Sequence, residues 1–400
     1  MKRFAFTVLS CIICLLPLNA QKMQLSQSEI EKLNKTQITG VDYKTAKMNY
    51  PRFVGYNSQR GPHKYGPTSR FFVLRSENLC GLGLIDARWL VKPENMGSYQ
   101  SLLVGKKLGD LLDPETFLVK PEYRDVDVAI YDLVGVVLNK PFHRLFGKPA
   151  STKIPIYSGM IYFDELYFKD GKCRTKPEGI QAIIDECQYD YDFGYRQFKV
   201  KIGRGHKWMG HDEGLARDIE IIKAIHEHFP KCDILVDPND GYSVQDCKDF
   251  INGIKPARIY WLEEPFEEDK DKYAEFAAWK KANAPDILIA DGEFEPKREL
   301  CFDLGREGLM NVYCEDVINN GFTTWIELLP KLKAMGMMAS PHAWGQVVRS
   351  IYGAYLGMAF GGIPTVEGVT CFCESVNLNY TVKNGYFIPS NKPGFGISFK

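Results

Sequence analysis

Between residues 154 and 367, short β-branched or apolar runs alternate with longer segments whose apolar residues recur every three to four positions. One such segment carries Leu215, Ile219, Ile222, Ile225 and Phe229 on a single stripe and stops at Pro230, as an amphipathic helix packed by one face would. The runs that read as strands are 154–158, 197–202, 233–237, 258–263, 287–290, 310–315, 337–341 and 365–367. Strands and helices in strict alternation predict parallel strands joined by right-handed crossovers. Eight strands exceed the five or six of an ordinary open sheet and predict an α/β fold of the (β/α)8-barrel type.

Before residue 150 the pattern is mixed. Residues 69–74 and 79–84 read as two paired strands joined at Glu77-Asn78, and a polar, Gly-rich loop at 55–68 precedes them. From Arg124 onward Val128, Ala129, Leu133, Val136 and Val137 keep helical spacing until Pro141 ends the run. Gly147, Lys148 and Pro149 read as a linker, and residues 386–400 are again strand-like. The predicted organisation is an α+β capping domain over 21–150, a barrel over 151–375, and a closing segment, 376–400, that returns to the cap.

Residues 1–20 follow another logic. Lys2 and Arg3 precede an apolar stretch that ends at Asn19-Ala20, which predicts a cleaved signal peptide and a periplasmic protein. The stretch is too short and too interrupted by Thr7, Ser10 and two cysteines to predict a membrane span. A lipid-anchored Cys11 is the alternative. Fifty basic against fifty acidic residues leave no surplus for displacing counterions from nucleic acid. Of eleven cysteines, nine lie beyond the leader, an odd number without zinc-ligand spacing, so buried thiols are expected rather than a disulfide framework.

The chemistry is concentrated where the runs end. Lys199 and Lys201 close the second run on one face, Asp237 the third and Glu263 the fourth. Glu293, Asp316, His342 and Glu367 follow the remaining four, so that consecutive members are 23 to 36 residues apart, about one βα unit. In a parallel barrel these positions share the carboxyl-terminal rim, where catalytic groups gather. Asp237, Glu263 and Glu293 would repel one another without a cation, and an all-oxygen set favours Mg2+. Glu264 and Asp291 are adjacent acids ranked below these three. Lys201 and His342 face each other across the ring, with Asp316 placed to orient His342. A buried lysine near a cation is expected to have a lowered pKa and to serve as a base.

This ordered series resembles the enolase superfamily, and within it the mandelate racemase-like subgroup. Ala129-Ile130-Tyr131-Asp132-Leu133-Val134-Gly135, Phe198-Lys199-Val200-Lys201, Asp237-Pro238-Asn239, Trp261-Leu262-Glu263-Glu264-Pro265, Gly292-Glu293, Pro341-His342 and Gly385-Tyr386-Phe387-Ile388-Pro389 carry the likeness. The resemblance implies Lys201 and His342 as the acid/base pair and Glu367 as a hydrogen-bonding partner of a substrate carboxylate. Lys199 and Asn239 join it as substrate contacts, and His63, Lys64 and Tyr65 of the 55–68 loop, beside Arg60, as a lid for a polyhydroxy anion. The implied reaction is Mg2+-dependent removal of the α-proton of a sugar acid through an enediolate, followed by dehydration to a 2-keto-3-deoxy acid. Racemisation, epimerisation or cycloisomerisation of a related hydroxy acid is the alternative, and a non-catalytic exported binding protein the rival from another class. The expected partners are a small acid and at most further copies of this chain.

Overall fold

The computed structural model describes residues 22–85, 91–293, 295–319 and 321–400; the expected signal peptide, with Cys11, lies outside the described residues. In the capping region β1 (Gly40–Lys47), β2 (Thr68–Ser76) and β3 (Leu79–Ile85) form an antiparallel sheet in that order. The β2–β3 hairpin turns where expected, with Glu77 in the left-handed region at φ 50°. Strand β1 has no hydrophobic signature, since Ala46 is its one buried residue, and is held by backbone pairing to β2. Helix Asp127–Leu138 lies directly on β3. A Cβ at Gly81 would stand 2.2 Å from the Ala129 carbonyl oxygen, so glycine there is what lets the helix backbone approach.

All eight expected barrel strands form, several of them shorter. They are β4 (Ile154–Ile161), then, after the hairpin of β5 (Leu166–Lys169) and β6 (Lys172–Thr175), β7 (Gln197–Lys201) and β8 (Asp233–Asp237). The series continues with β9 (Trp261–Glu263), β10 (Leu288–Asp291), β11 (Val312–Tyr313), β12 (Met338–Ala339) and β13 (Val366–Gly368). The parallel order is β13-β4-β7-β8-β9-β10-β11-β12. Across the remaining seam the Ala339 N–H donates to the Gly362 carbonyl at 2.9 Å and Ser340 Oγ to that of Thr365 at 3.0 Å. Tyr157, Leu235, Trp261, Ala290, Val312 and Cys314 pack into one buried apolar cluster contributed by these strands.

The tail supplies β14 (Val376–Asn377), β15 (Tyr380–Lys383), β16 (Tyr386–Pro389) and β17 (Ser398–Phe399). Strand β16 pairs antiparallel with the start of β4, while Phe399 packs edge-on against Phe71 of the cap sheet at 5.4 Å. Phe395 stacks on Phe142 at 4.8 Å. All nine cysteines among the described residues are free thiols, and no described helix is long and apolar enough to cross a membrane.

Asp132 joins three of these elements: its carboxylate accepts the Leu82 N–H at 2.8 Å and the Phe395 N–H at 2.7 Å. Burial pushes its carboxyl from 3.8 up to about 7, against the pull of those two bonds. An acid whose folded pKa is raised contributes stability that is full below its unfolded pKa and lost as pH rises through the folded one. The Asp132 contribution to stability against urea should therefore be lost between about pH 4 and pH 7. Asp132→Asn should flatten part of the slope of stability over that range, and an unchanged slope would refute the assignment. Asp132→Ala, which strands two N–H donors, should cost about 2–4 kcal/mol at pH 5.

Candidate active site

The rim predicted from the strand ends is real. Lys199 and Lys201 point inward from β7, and Asp237, Glu263, Asp316, His342 and Glu367 follow from their strands, all buried. Gly159 on β4 makes room for Glu367, because a Cβ there would lie 2.6 Å from Glu367 Oε1.

Three carboxylates present oxygens within 4.8 Å of one another: those of Asp237, Glu264 and Glu293. Glu263, the expected member, lies outside this group, and its neighbour Glu264 lies within it. The physical reason is the backbone. Glu263 is still in β9, with Oε1 accepting from Lys199 Nζ at 2.6 Å and Oε2 from Trp261 Nε1 at 3.1 Å. Glu264 has left the strand at φ 40°, its N–H bound to the Ala290 carbonyl, and its Oε2 accepts from Asn239 Nδ2 at 2.8 Å. Asp291 is turned aside by a hydrogen bond from Tyr273 Oη and one from the Gly292 N–H at 2.6 Å. Burial, then the charges of Glu293 and Asp237, push the Glu264 carboxyl well above the usual range. Glu293 Oε2 is buried without a hydrogen-bond partner. Three converging carboxylates, with one buried oxygen of Glu293 unsatisfied and no thiolate or imidazole in the set, fit a hard divalent cation.

Lys201 Nζ is paired with Asp237, 5.5 Å above the Tyr162 ring. Burial is the largest influence and disfavours its charge, but Asp237, Glu293 and Glu263 together outweigh it and raise its pKa. Lys199 Nζ lies 2.6 Å from Glu263, 2.9 Å from Glu367 and 3.4 Å from Asp237. His342 Nε2 is 3.1 Å from Glu293 and 3.7 Å from Glu367. Burial opposes the imidazolium, yet Glu293, Glu367 and Asp316 together raise its pKa. Asp316 pairs with His342 through the backbone, but its carboxylate stands 3.9 Å from Nδ1, an ion-pair distance longer than a hydrogen bond. That carboxylate also accepts from Arg349 Nη1 at 3.0 Å, a partner the hydrophobic pattern did not single out.

Of the expected lid residues the structure brings His63 to the rim. Its ring meets Tyr162 at 4.8 Å and Trp344 at 5.3 Å, and Trp344 Nε1 donates to its Nδ1 at 3.4 Å. Burial, with Lys201 and Arg60 adding to it, lowers its pKa to about 4, so the ring is neutral at pH 7. Lys64 and Tyr65 face outward instead: the Lys64 backbone pairs with Val54, and Tyr65, 61% exposed, packs on Phe53. Lys64 sits in the left-handed region at φ 65°, so the chain turns there and Tyr65 does not follow His63 to the rim. Asn239 lies between Asp237 and Glu264, with its N–H on Asp237 Oδ1 at 2.9 Å. Tyr162 and Trp344 were not anticipated; Trp344, two residues beyond His342, is the one the spacing could have flagged.

Residues 182–400 match the family described as enolase C-terminal domain-like. The chain is 24% identical over 285 residues to an arabinonate dehydratase of Saccharolobus solfataricus, covering 69% of each protein. Its fold matches a galacturonate dehydratase from Geobacillus sp., solved with D-galacturonate and 5-keto-4-deoxy-D-galacturonate. The TM-score is 0.81, with 27% identity, and the match covers 92% of this chain and 95% of that one. A mandelate racemase/muconate lactonizing protein from Geobacillus sp. Y412MC10, solved with magnesium and tartrate, matches with a TM-score of 0.80 at 28% identity over 92% and 94% of the two chains.

Proposed function

Because this chain belongs to the enolase C-terminal domain-like family, we propose that it is a Mg2+-dependent acid-sugar dehydratase. The observation that carries the reading is the bracketing of one acid cluster by two proton carriers of different kind. Lys201 sits on Asp237 from β7, and His342 on Glu293 from the strand end that follows β12.

Asp237, Glu264 and Glu293 would hold the metal ion. Bound there, magnesium supplies positive charge against the second negative charge that arises when a carboxylate loses its α-proton. With the charge of Asp237 shared with the cation, Lys201 would release its own proton to solvent and Nζ, as the neutral amine, takes the α-proton, while Lys199, between Glu263 and Glu367, offers an ammonium to the substrate carboxylate. His342 Nε2, held protonated by its acidic neighbours, gives a proton to the departing β-hydroxyl, which leaves as water. His63, Tyr162 and Trp344 cover the Lys201 side and exclude bulk solvent there.

The purified protein with magnesium, screened against aldonic, aldaric and uronic acids, should form a 2-keto-3-deoxy or equivalent keto-deoxy product and lose that turnover with a chelator. Inversion at the α-carbon without water loss would make it an isomerase. Binding of an acid sugar with neither reaction would leave the rim a binding site alone.

A further inference from the structure

The loop bearing His63 is hydrogen-bonded to the very backbone that presents the acid cluster. Ser58, fully buried, donates from Oγ to the Pro238 carbonyl at 2.5 Å, with the Asn239 carbonyl 3.3 Å away. Gln59 Nε2 donates to the Asn239 carbonyl at 2.9 Å. Asn239 then contacts two of the three clustered acids, by its N–H to Asp237 at 2.9 Å and its Nδ2 to Glu264 at 2.8 Å. Its Oδ1 is buried without a hydrogen-bond partner, so the amide is oriented by Glu264 alone among the described residues.

The same stretch is conformationally costly. Asn239, Asp240 and Glu264 all have positive φ, at 45°, 61° and 40°, and the Asp240 N–H is bound to the Glu264 carbonyl at 2.8 Å. Non-glycine residues in this region cost about 1 kcal/mol or more each and persist where their surroundings over-determine them. For Asn239 the surroundings include the cap loop. That loop is itself fastened to the barrel by Trp208 Nε1 on the Asn57 carbonyl at 2.6 Å and by the Gly55 N–H on Asp164 at 2.6 Å. Two glycines leave it room: a Cβ on Gly241 or on Gly203 would come within 3.0 Å of Ser58 Cβ.

We propose that Asn239 is a positioning residue for the metal cluster and that Ser58 and Gln59 hold it in place, so that docking of the cap loop and binding of the divalent cation favour one another. The inference rests on the reading of Asp237, Glu264 and Glu293 as metal ligands. Its logic is linkage: if the docked loop improves the cluster, the bound cation must tighten the loop by the same factor.

The probe is magnesium alone, titrated calorimetrically, with hydrogen–deuterium exchange of the 55–63 segment followed in parallel. Asn239→Gly keeps the positive φ accessible while deleting the amide, and should weaken magnesium about tenfold, the worth of one hydrogen bond to a charged group. Gln59→Ala, at an exposed position, should weaken it about threefold without touching any ligand, and Ser58→Ala by a similar factor. Magnesium should slow exchange of the loop amides in the wild type and lose that effect in Asn239→Gly. Gln59→Ala keeps the test open should the buried Ser58→Ala variant fail to fold. Affinity within twofold of wild type in Asn239→Gly, or loop exchange indifferent to magnesium, overturns the proposal while the metal site stands. A wild type without saturable magnesium binding removes the metal site itself, and this inference with it.

Discussion

Glu264→Gln is expected to weaken magnesium binding by about a hundredfold or more, since even outer-shell changes at metal sites cost tenfold to a hundredfold. The expectation follows from the three oxygens of Asp237, Glu264 and Glu293 lying within 4.8 Å of one another. Removing one charge also relieves the repulsion that pushes the Glu264 carboxyl upward, so the apo fold should survive. Glu263→Gln should behave differently. Its carboxylate answers Lys199 at 2.6 Å and Trp261 at 3.1 Å, so its loss disturbs the lysine pair and the substrate carboxylate it would greet. Magnesium affinity in Glu263→Gln should stay within about threefold of wild type while turnover falls. Calorimetric titration of the two variants side by side decides the matter. Tight binding in Glu264→Gln with loss in Glu263→Gln would return the ligand to the residue that ends β9.

The second large effect concerns the two proton carriers. Lys201→Ala should abolish both turnover and exchange of the substrate α-proton with deuterated water, because the group that takes that proton is gone. His342→Asn should abolish turnover yet retain α-proton exchange, since its proposed task is to protonate the leaving hydroxyl. Each loss should be about a hundredfold to ten-thousandfold, the usual worth of a positioned acid or base. Their placement makes the split possible: Lys201 is tied to Asp237 and His342 to Glu293, so removing one leaves the other's anchor intact. Mass spectrometry of substrate recovered from deuterated buffer reads the result. Exchange that survives in Lys201→Ala and fails in His342→Asn would reverse the two roles, and exchange that survives in both would eliminate this mechanism.

Most of the fold was legible because its periodicities are strong. The stripe from Leu215 to Phe229 gave a helix that the structure places at His211–His228. All eight runs became strands because β-branched cores between turn residues have few other ways to bury themselves. Strand β1 was missed because it buries almost nothing; its reason for being a strand is the free edge of β2, which belongs to another part of the chain. The same distinction runs through the site. Lys199, Lys201, Asp237, His342 and Glu367 were readable, since a residue at the end of a parallel barrel strand goes to the rim whatever its neighbours do.

What the sequence by itself determined is therefore the ring of strands and the identity of the charged groups that strand ends deliver to its rim. Tertiary structure alone decided the rest, and for one reason: those features depend on where a backbone stops being a strand and on what meets it there. Glu263 and Glu264 are chemically identical, and no pattern separates them. The separation comes from a backbone at φ 40° and from Asn239, at the preceding strand end and 25 residues away in the chain but 2.8 Å away in space. His63 reached the rim while Lys64 and Tyr65 did not because the chain turns at Lys64, φ 65°, beyond a stretch that Ser58 and Gln59 clamp to Pro238 and Asn239. The Lys201 pKa is raised because Asp237, 36 residues downstream, lies against it and, with Glu293 and Glu263, opposes the effect of burial.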